Sequence, residues 1–113
     1  MVIPYVPEAG DIMMMDFDPQ LGHEQAKRRP ALVLTDQKYN RASGLAVVCP
    51  LTSKRKPYPF ALPVRVDQVE GGVLVDQLKS LDWAARKAKF HSRTEPGLVT
   101  KVRQYIAVLL SIR

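Results

Sequence analysis

The chain has 113 residues, 46% hydrophobic and 25% charged, a single cysteine and a formal net charge of +6. That length suits one domain, residues 1–113, with a modest core; a lone cysteine excludes an internal disulfide. No apolar run approaches the roughly 20 residues of a membrane span, and Met1-Val-Ile-Pro-Tyr lacks the basic and apolar stretches of a signal peptide, so a cytoplasmic protein is expected.

Along the chain, short apolar runs alternate with turn formers, which predicts a small β-rich domain. The candidate strands are 11–17, 31–35, 45–51, 60–66 and 73–79, with a further short strand near 88–90. They are separated by Asp18-Pro19, Gly22, Asn40 to Gly44, Pro57 to Pro59 and Glu70-Gly71-Gly72, all rich in turn residues. Cys49 falls within an apolar strand and reads as a small buried hydrophobe rather than a nucleophile. Towards the C-terminus the period changes. Leu98, Val99, Val102, Tyr105, Ile106 and Leu109 share one helical face, and Lys101 and Arg103 lie off it. Thr94-Glu95-Pro96 marks the helix start, since proline is tolerated in the first turn. The predicted architecture is mostly β with a C-terminal helix: a small, strongly bent sheet or barrel carrying that helix. Dimerisation would cover an exposed edge of so small a barrel.

The excess of cations suits a polyanionic partner such as nucleic acid or an acidic protein segment, though a solvated basic face has the same composition. Three polar constellations narrow this. The first is Gly22-His-Glu-Gln-Ala-Lys-Arg-Arg-Pro30, a polar loop that runs directly into an apolar strand. Polar groups on a loop pinned by a rigid element are a common way to build a site. The side chains suit attack of an RNA 2′-hydroxyl on the adjacent phosphate. That reaction needs a base for the 2′ proton, an acid for the leaving 5′ oxygen and cations for the charge gathering on the phosphate. DNA lacks the nucleophile and would be spared. Glu24 is the candidate base. His23 titrates near neutrality and could act as acid or base, or be a solvated loop residue. Arg29 keeps its proton at physiological pH, so a bidentate phosphate clamp suits it better than proton donation. Lys27 and Arg28 fit either the site or an ordinary solvated charge run.

The second constellation is Cys49-Pro-Leu-Thr-Ser-Lys-Arg-Lys-Pro57. Thr52 and Ser53 can hydrogen-bond phosphate oxygens, and Lys54, Arg55 and Lys56 can hold a nucleic-acid backbone. Tyr58 could stack on unpaired bases, whereas Phe60 is expected in the core. The third is Val75-Asp-Gln-Leu-Lys-Ser80. Strand alternation would place Gln77 and Lys79 on one face, with Asp76 opposite in a structural role. Gln77 could read a base edge, and Trp83 is expected to pack. Metal readings are weak. Asp16, Asp18 and Glu24 imitate a carboxylate site, but no His/Cys cluster has ligand spacing, so no metal is assigned. Neither a phosphate-binding P-loop nor a dinucleotide glycine pattern occurs, and no cofactor is assigned.

Across nearly the full length the sequence resembles the MazF/PemK-type toxins of type II toxin–antitoxin systems, which are sequence-specific endoribonucleases (mRNA interferases). The likeness rests on an ordered set: Gly10-Asp11, Asp16-Phe17-Asp18-Pro19, Gly22-x-Glu24-Gln25, Arg29-Pro30, Pro50-x-Thr52, Tyr58-Pro59-Phe60 and Asp76-Gln77-x-Lys79-Ser80. It implies an SH3-like barrel with a C-terminal helix, usually a homodimer. It implies that Arg29 and Thr52 are catalytic, that Glu24 is the acidic site residue, and that Lys56, Gln77 and Lys79 bind RNA. Phe17, Asp18, Gln25, Arg28, Ser53 and Lys54, within or beside these motifs, complete the candidate RNA-binding set. The implied activity is metal-independent cleavage of single-stranded mRNA, leaving a 2′,3′-cyclic phosphate (or 3′-phosphate) and a 5′-hydroxyl. The implied partner is an antitoxin whose disordered acidic tail covers the RNA groove. Two other functions suit the same barrel. A CcdB-like toxin would inhibit DNA gyrase by protein contact through its C-terminal helix and would need no Glu24/Arg29/Thr52 cluster. A plain nucleic-acid-binding barrel would bind without cutting.

Overall fold

A computed structural model describes residues 4–17, 28–53 and 59–113. Their elements run β1 (Asp11–Asp16), β2 (Arg28–Val33), α1 (Gln37–Ser43), β3 (Leu45–Thr52), β4 (Ala61–Val66), β5 (Val69–Leu74), a 3₁₀ turn (Val75–Gln77), β6 (Lys79–Asp82), β7 (Lys89–Arg93) and α2 (Pro96–Leu109). The expected mostly-β chain with a C-terminal helix is what forms. The strand order is β4-β5-β3-β2-β1-β7, with β6 also paired to β3.

β3 is the pivot. Leu45 to Val48 pair with β6, Val48 to Pro50 pair with β2, and Leu51 and Thr52 pair with β5. Pro50 stands at the crossing point, and having no N–H it cannot extend the ladder it leaves. The sheet therefore bends sharply where β3 ends. β5 can lie close to that end because of Gly71: a Cβ there would collide with the carbonyl of Thr52.

Period-2 alternation sorts the strand residues into two apolar clusters. Ile12, Leu32, Leu34, Cys49, Leu51, Leu62, Val73 and Val75 pack with Val99 and Val102 of α2. Met13, Met15, Phe17, Ala31, Val33, Ala46, Val48 and Leu81 form the other cluster, against which Tyr5 and Trp83 pack. Trp83 has the packing role expected of it, and its Nε1 donates to the Asn40 carbonyl at 3.1 Å. Pro96 occupies the first turn of α2, as anticipated.

Three expectations need correction. The stretch from Asn40 to Gly44 is not merely a turn. It forms the second half of α1 and its αL glycine cap. Asn40 is fully buried and stitches the helix to its surroundings, donating to the Pro7 and Thr35 carbonyls and accepting from the Thr35 hydroxyl. Glu70-Gly71-Gly72 is strand rather than turn. The β4–β5 reversal lies at Asp67-Gln68, two non-glycine residues with φ of 53° and 63°. The predicted strand 73–79 is broken by the 3₁₀ turn, so β5 and β6 are separate strands on different stretches of β3.

Ahead of β1, the chain is held by a buried carboxylate. Asp11 accepts from the Tyr5 hydroxyl at 2.7 Å, the Glu8 amide at 3.0 Å and Arg93 Nη1 at 2.6 Å. Burial, followed by the Asp11 carboxylate, raises the Tyr5 phenol pKa well above its ordinary value.

Candidate active site on the β1–β3 face

Arg28 and Arg29 are neighbours at the start of β2, and alternation sends them to opposite faces. Pairing sets Asp16 across from Arg28 and Met15 across from Arg29. Arg28 is engaged internally. Its Nη1 donates to Asp16 Oδ1 at 3.1 Å, and its Nη2 donates to the carbonyls of Met14 at 3.0 Å and Lys87 at 2.7 Å. Its donors close the corner between β1, β2 and the turn before β7.

Arg29 differs. It is exposed, and among the described residues it has no hydrogen-bond or ion-pair partner. It shares a face with Ala31 and Val33, and with Met13 and Met15 of β1. The β2–β3 register pairs Ala31 with Pro50, Leu32 with Cys49 and Val33 with Val48. Continued past Pro50, that register would set Arg29 across from Thr52. Among the described residues the β2–β3 pairs end at Ala31 and Pro50, and Thr52 pairs with Gly72 of β5. Arg29 is exposed at the entry of β2 and Thr52 is half-buried at the end of β3.

The same face continues through β6. Lys79 is exposed and pairs with Val48, and its Nζ lies 5.5 Å from the centre of the Phe17 ring. This is cation–π distance. Phe17 itself is only 4% exposed: the ring is core, and the lysine ammonium lies over it. Arg29 and Lys79, distant in sequence, thus border one face.

The other candidates are distributed as follows. Ser53 is exposed one residue past β3. With Thr52, Met14, Pro30, Leu51 and His91 it lines a largely apolar hollow of about 360 Å³. Gln77 is exposed but sits in the 3₁₀ turn, so strand alternation does not pair it with Lys79. Asp18, His23, Glu24, Gln25, Lys27, Lys54, Arg55, Lys56 and Tyr58 lie outside the described residues. Among the described residues no group of three or more His, Cys, Asp or Glu comes together at metal-binding distance. Cys49 is buried with its Sγ 3.8 Å from the Val75 carbonyl. Burial, with a smaller contribution from Asp76, pushes its thiol up to about 12. It is inert core, as read from the sequence.

Sequence reasoning overlooked two residues near this face. Arg86 sits in Ala84-Ala85-Arg86-Lys87-Ala88, which reads as an ordinary basic loop. Its Nη1 donates to the Asp16 carbonyl at 3.2 Å and also to the Phe17 carbonyl. His91 lies where the β1–β7 register shifts, and such an irregularity can re-aim a side chain. Its Nε2 reaches Asp67 Oδ2 at 2.8 Å.

Residues 8–110 match the model of the PemK-like, MazF-like toxins of type II toxin–antitoxin systems. The chain belongs to that family. It is 39% identical over 110 residues to the endoribonuclease toxin MazF of Escherichia coli K12, covering 97% of this chain and 99% of that one. Its identity to the endoribonuclease toxin ChpB of the same strain is 41% over 88 residues, covering 73% and 75% of the two chains. A crystal structure of MazE–MazF from Deinococcus radiodurans superposes with a TM-score of 0.89 at 41% identity, over 97% of this chain and 100% of that one. The bent sheet with its C-terminal helix is therefore the MazF fold, in keeping with the SH3-like barrel expected, and the enzyme class of the family is endoribonuclease. No helix among the described residues is long and apolar enough to cross a membrane.

Proposed function

We propose that this protein is a metal-independent, sequence-specific endoribonuclease, the growth-inhibiting toxin of a toxin–antitoxin pair, acting on single-stranded mRNA in the cytoplasm. The observation that supports the proposal is Arg29, exposed at the entry of β2 with no hydrogen-bond or ion-pair partner among the described residues, on the same strand face as Lys79. In the reaction, the substrate's 2′ oxygen attacks the adjacent phosphorus as Glu24 takes its proton. The bond to the 5′ oxygen breaks, and that oxygen leaves as a hydroxyl after protonation. The products are a 2′,3′-cyclic phosphate and a 5′-hydroxyl end. Arg29 clamps two phosphate oxygens and offsets the charge that builds in the transition state, and the Thr52 hydroxyl donates to the same group. Lys79, Gln77 and Ser53, with Lys54, Lys56, Gln25 and Asp18, hold and read the flanking nucleotides.

The proposed assembly is a homodimer bound by an antitoxin. The relative from D. radiodurans has a structure described as MazE–MazF, a toxin with a second protein. A net charge of +6 suits an acidic, disordered antitoxin segment that folds over the cationic face and competes with RNA.

The test is cleavage of a long single-stranded RNA in excess EDTA, with the ends mapped by primer extension. Wild type should cut at a short recurring motif and leave 5′-hydroxyl ends. Arg29→Ala and Thr52→Ala should cut at least about 100-fold more slowly. Equal cutting by both variants would sink the site assignment. RNA binding without scission by wild type would leave a binding barrel, and gyrase inhibition without scission would leave a CcdB-like poison.

A further inference from the structure

Arg86 is bonded to the end of β1 from two directions. Its carbonyl accepts the Asp16 amide at 3.0 Å, and its guanidinium donates back to the carbonyls of Asp16 and Phe17. The turn that presents it is itself braced. Asp82 Oδ1 accepts the Ala85 amide at 2.9 Å, the Ala88 amide donates to the Trp83 carbonyl, and Lys87 adopts a φ of 55°. The last backbone carbonyl of the described β1 segment is therefore fixed from outside its own sheet. What that carbonyl belongs to is Phe17, the ring over which Lys79 Nζ rests.

We infer that Arg86 is a positioning residue for the RNA-binding face, acting through Phe17 to hold the Lys79 ammonium where it meets a phosphate. The inference rests on the proposed RNA function, within which nothing else assigns Arg86 a part. The physical reason is pre-organisation. A lysine side chain loses much rotamer freedom when it is fixed, and a cation already held over an aromatic face loses less of it on binding. The ring can hold the ammonium only while its own backbone stays in place. Arg86 supplies that constraint at the end of the described β1 segment, next to Asp16↔Arg28, the last described pair of the β1–β2 ladder. Both bonds leave from Nη1, at the end of a rigid planar group; lysine offers donors at the end of a flexible four-carbon stem and so replaces arginine only in part.

The experiment measures binding of a fluorescent, uncleavable 2′-O-methyl single-stranded oligonucleotide across a salt series. The proteins are wild type, Arg86→Met, Arg86→Lys, Lys79→Met and the Arg86→Met/Lys79→Met double variant. Losing one phosphate contact should flatten the slope of log K against log salt by about 0.7 for a single strand. Lys79→Met and Arg86→Met are each expected to show that change, with roughly fivefold weaker binding at moderate salt. The double variant should be no worse than either single one, because both remove the same contact. Arg86→Lys should fall between. Arg103→Met is the control: it removes a comparable arginine-to-carbonyl bond, to Leu34, far from this face. It should lower Tm while leaving RNA binding unchanged.

A wild-type slope for Arg86→Met alongside a flattened slope for Lys79→Met would overturn the inference and leave the proposed function standing. Additive losses in the double variant would overturn it too. A wild-type slope for Lys79→Met would remove Lys79 from the RNA face and take the inference with it. Should Arg86→Met fail to fold, Arg86→Lys decides: a partly flattened slope supports the role, and a wild-type slope overturns it.

Discussion

Two charged regions of this molecule have opposite construction. Around Asp11, a nearly buried carboxylate meets Tyr5, the Glu8 amide and Arg93, and Arg93 also reaches the Ala9 carbonyl. On the β1–β3 face, Arg29 has no such partners among the described residues, and Lys79 rests on a ring rather than an anion. The first region uses charge to fold the chain: its groups satisfy one another and leave nothing for a ligand. The second keeps cations at the surface with their donors available. A buried charge must be paired or it destabilises the fold, so a site meant for phosphate has to be kept near solvent. Arg28 and Arg29 show the same division one residue apart: β alternation sends them to opposite faces, where Arg28 is bonded to Asp16 and Arg29 has no partner among the described residues.

Substitutions can break this contrast. The largest effect on activity should come from Arg29→Ala, with RNA cleavage falling about 10²- to 10³-fold and Tm moving by less than about 4 °C. Asp11→Ala should do the reverse. Stranding the Tyr5 hydroxyl, the Glu8 amide and Arg93 should cost about 3 kcal/mol in urea unfolding, while the folded fraction keeps its cleavage rate. A stable Asp11→Ala protein, or an unstable Arg29→Ala one, would erase the distinction between the two regions.

Gly71→Ala sharpens it, since this position serves fold and site together. The new methyl would meet the Thr52 carbonyl, so β5 must retreat from the end of β3. A loss of about 1–3 kcal/mol is expected, together with slower cleavage as Thr52 shifts from Arg29. Wild-type stability and rate in this variant would show that the close approach does not matter.

The smallest effect is in pH. The Cys49 thiol is raised from 9.0 to about 12 by burial and by Asp76, so the folded state keeps a proton that the unfolded chain gives up. Its contribution is fully present below pH 9 and is lost as pH rises from there towards 12. The Tyr5 phenol, also raised, adds to the same decline above its ordinary value of 10.0. Unfolding midpoints measured from pH 8 to 10.5 should therefore fall, and less steeply in Cys49→Ala. An identical slope in that variant would contradict the burial account.

Much of the fold was legible because period and punctuation are local. The strand at 11–17, the strand at 45–51 and the helix beginning at Pro96 could each be read from residues a few positions apart. Where reading failed, the deciding contacts were distant. Asn40 looks like a turn former, yet it is buried in α1 because Pro7 and Thr35 supply acceptors. Gly71 and Gly72 look like a turn, yet they are strand because β5 must pass close to Thr52. The run 73–79 looks continuous, yet β3 takes β5 at one end and β6 at the other, and the chain must break between them.

The sequence by itself determined the chemistry on offer: a permanently charged arginine at a strand entry, hydroxyls and cations at a strand end, a basic balance and a set of motifs that marks the PemK-like, MazF-like family. It also determined the apolar alternation that buries one side of each strand. Tertiary structure decided which of those groups meet. Strand register brought Arg29 and Lys79 to one face, alternation set Arg28 beside Asp16, and core packing made the buried Phe17 ring the support for Lys79. Arg86 acquired a partner only when a turn from the far end of the chain met the end of β1. The reason is that residue type sets what a group can do, whereas pairing between segments dozens of residues apart sets what it faces.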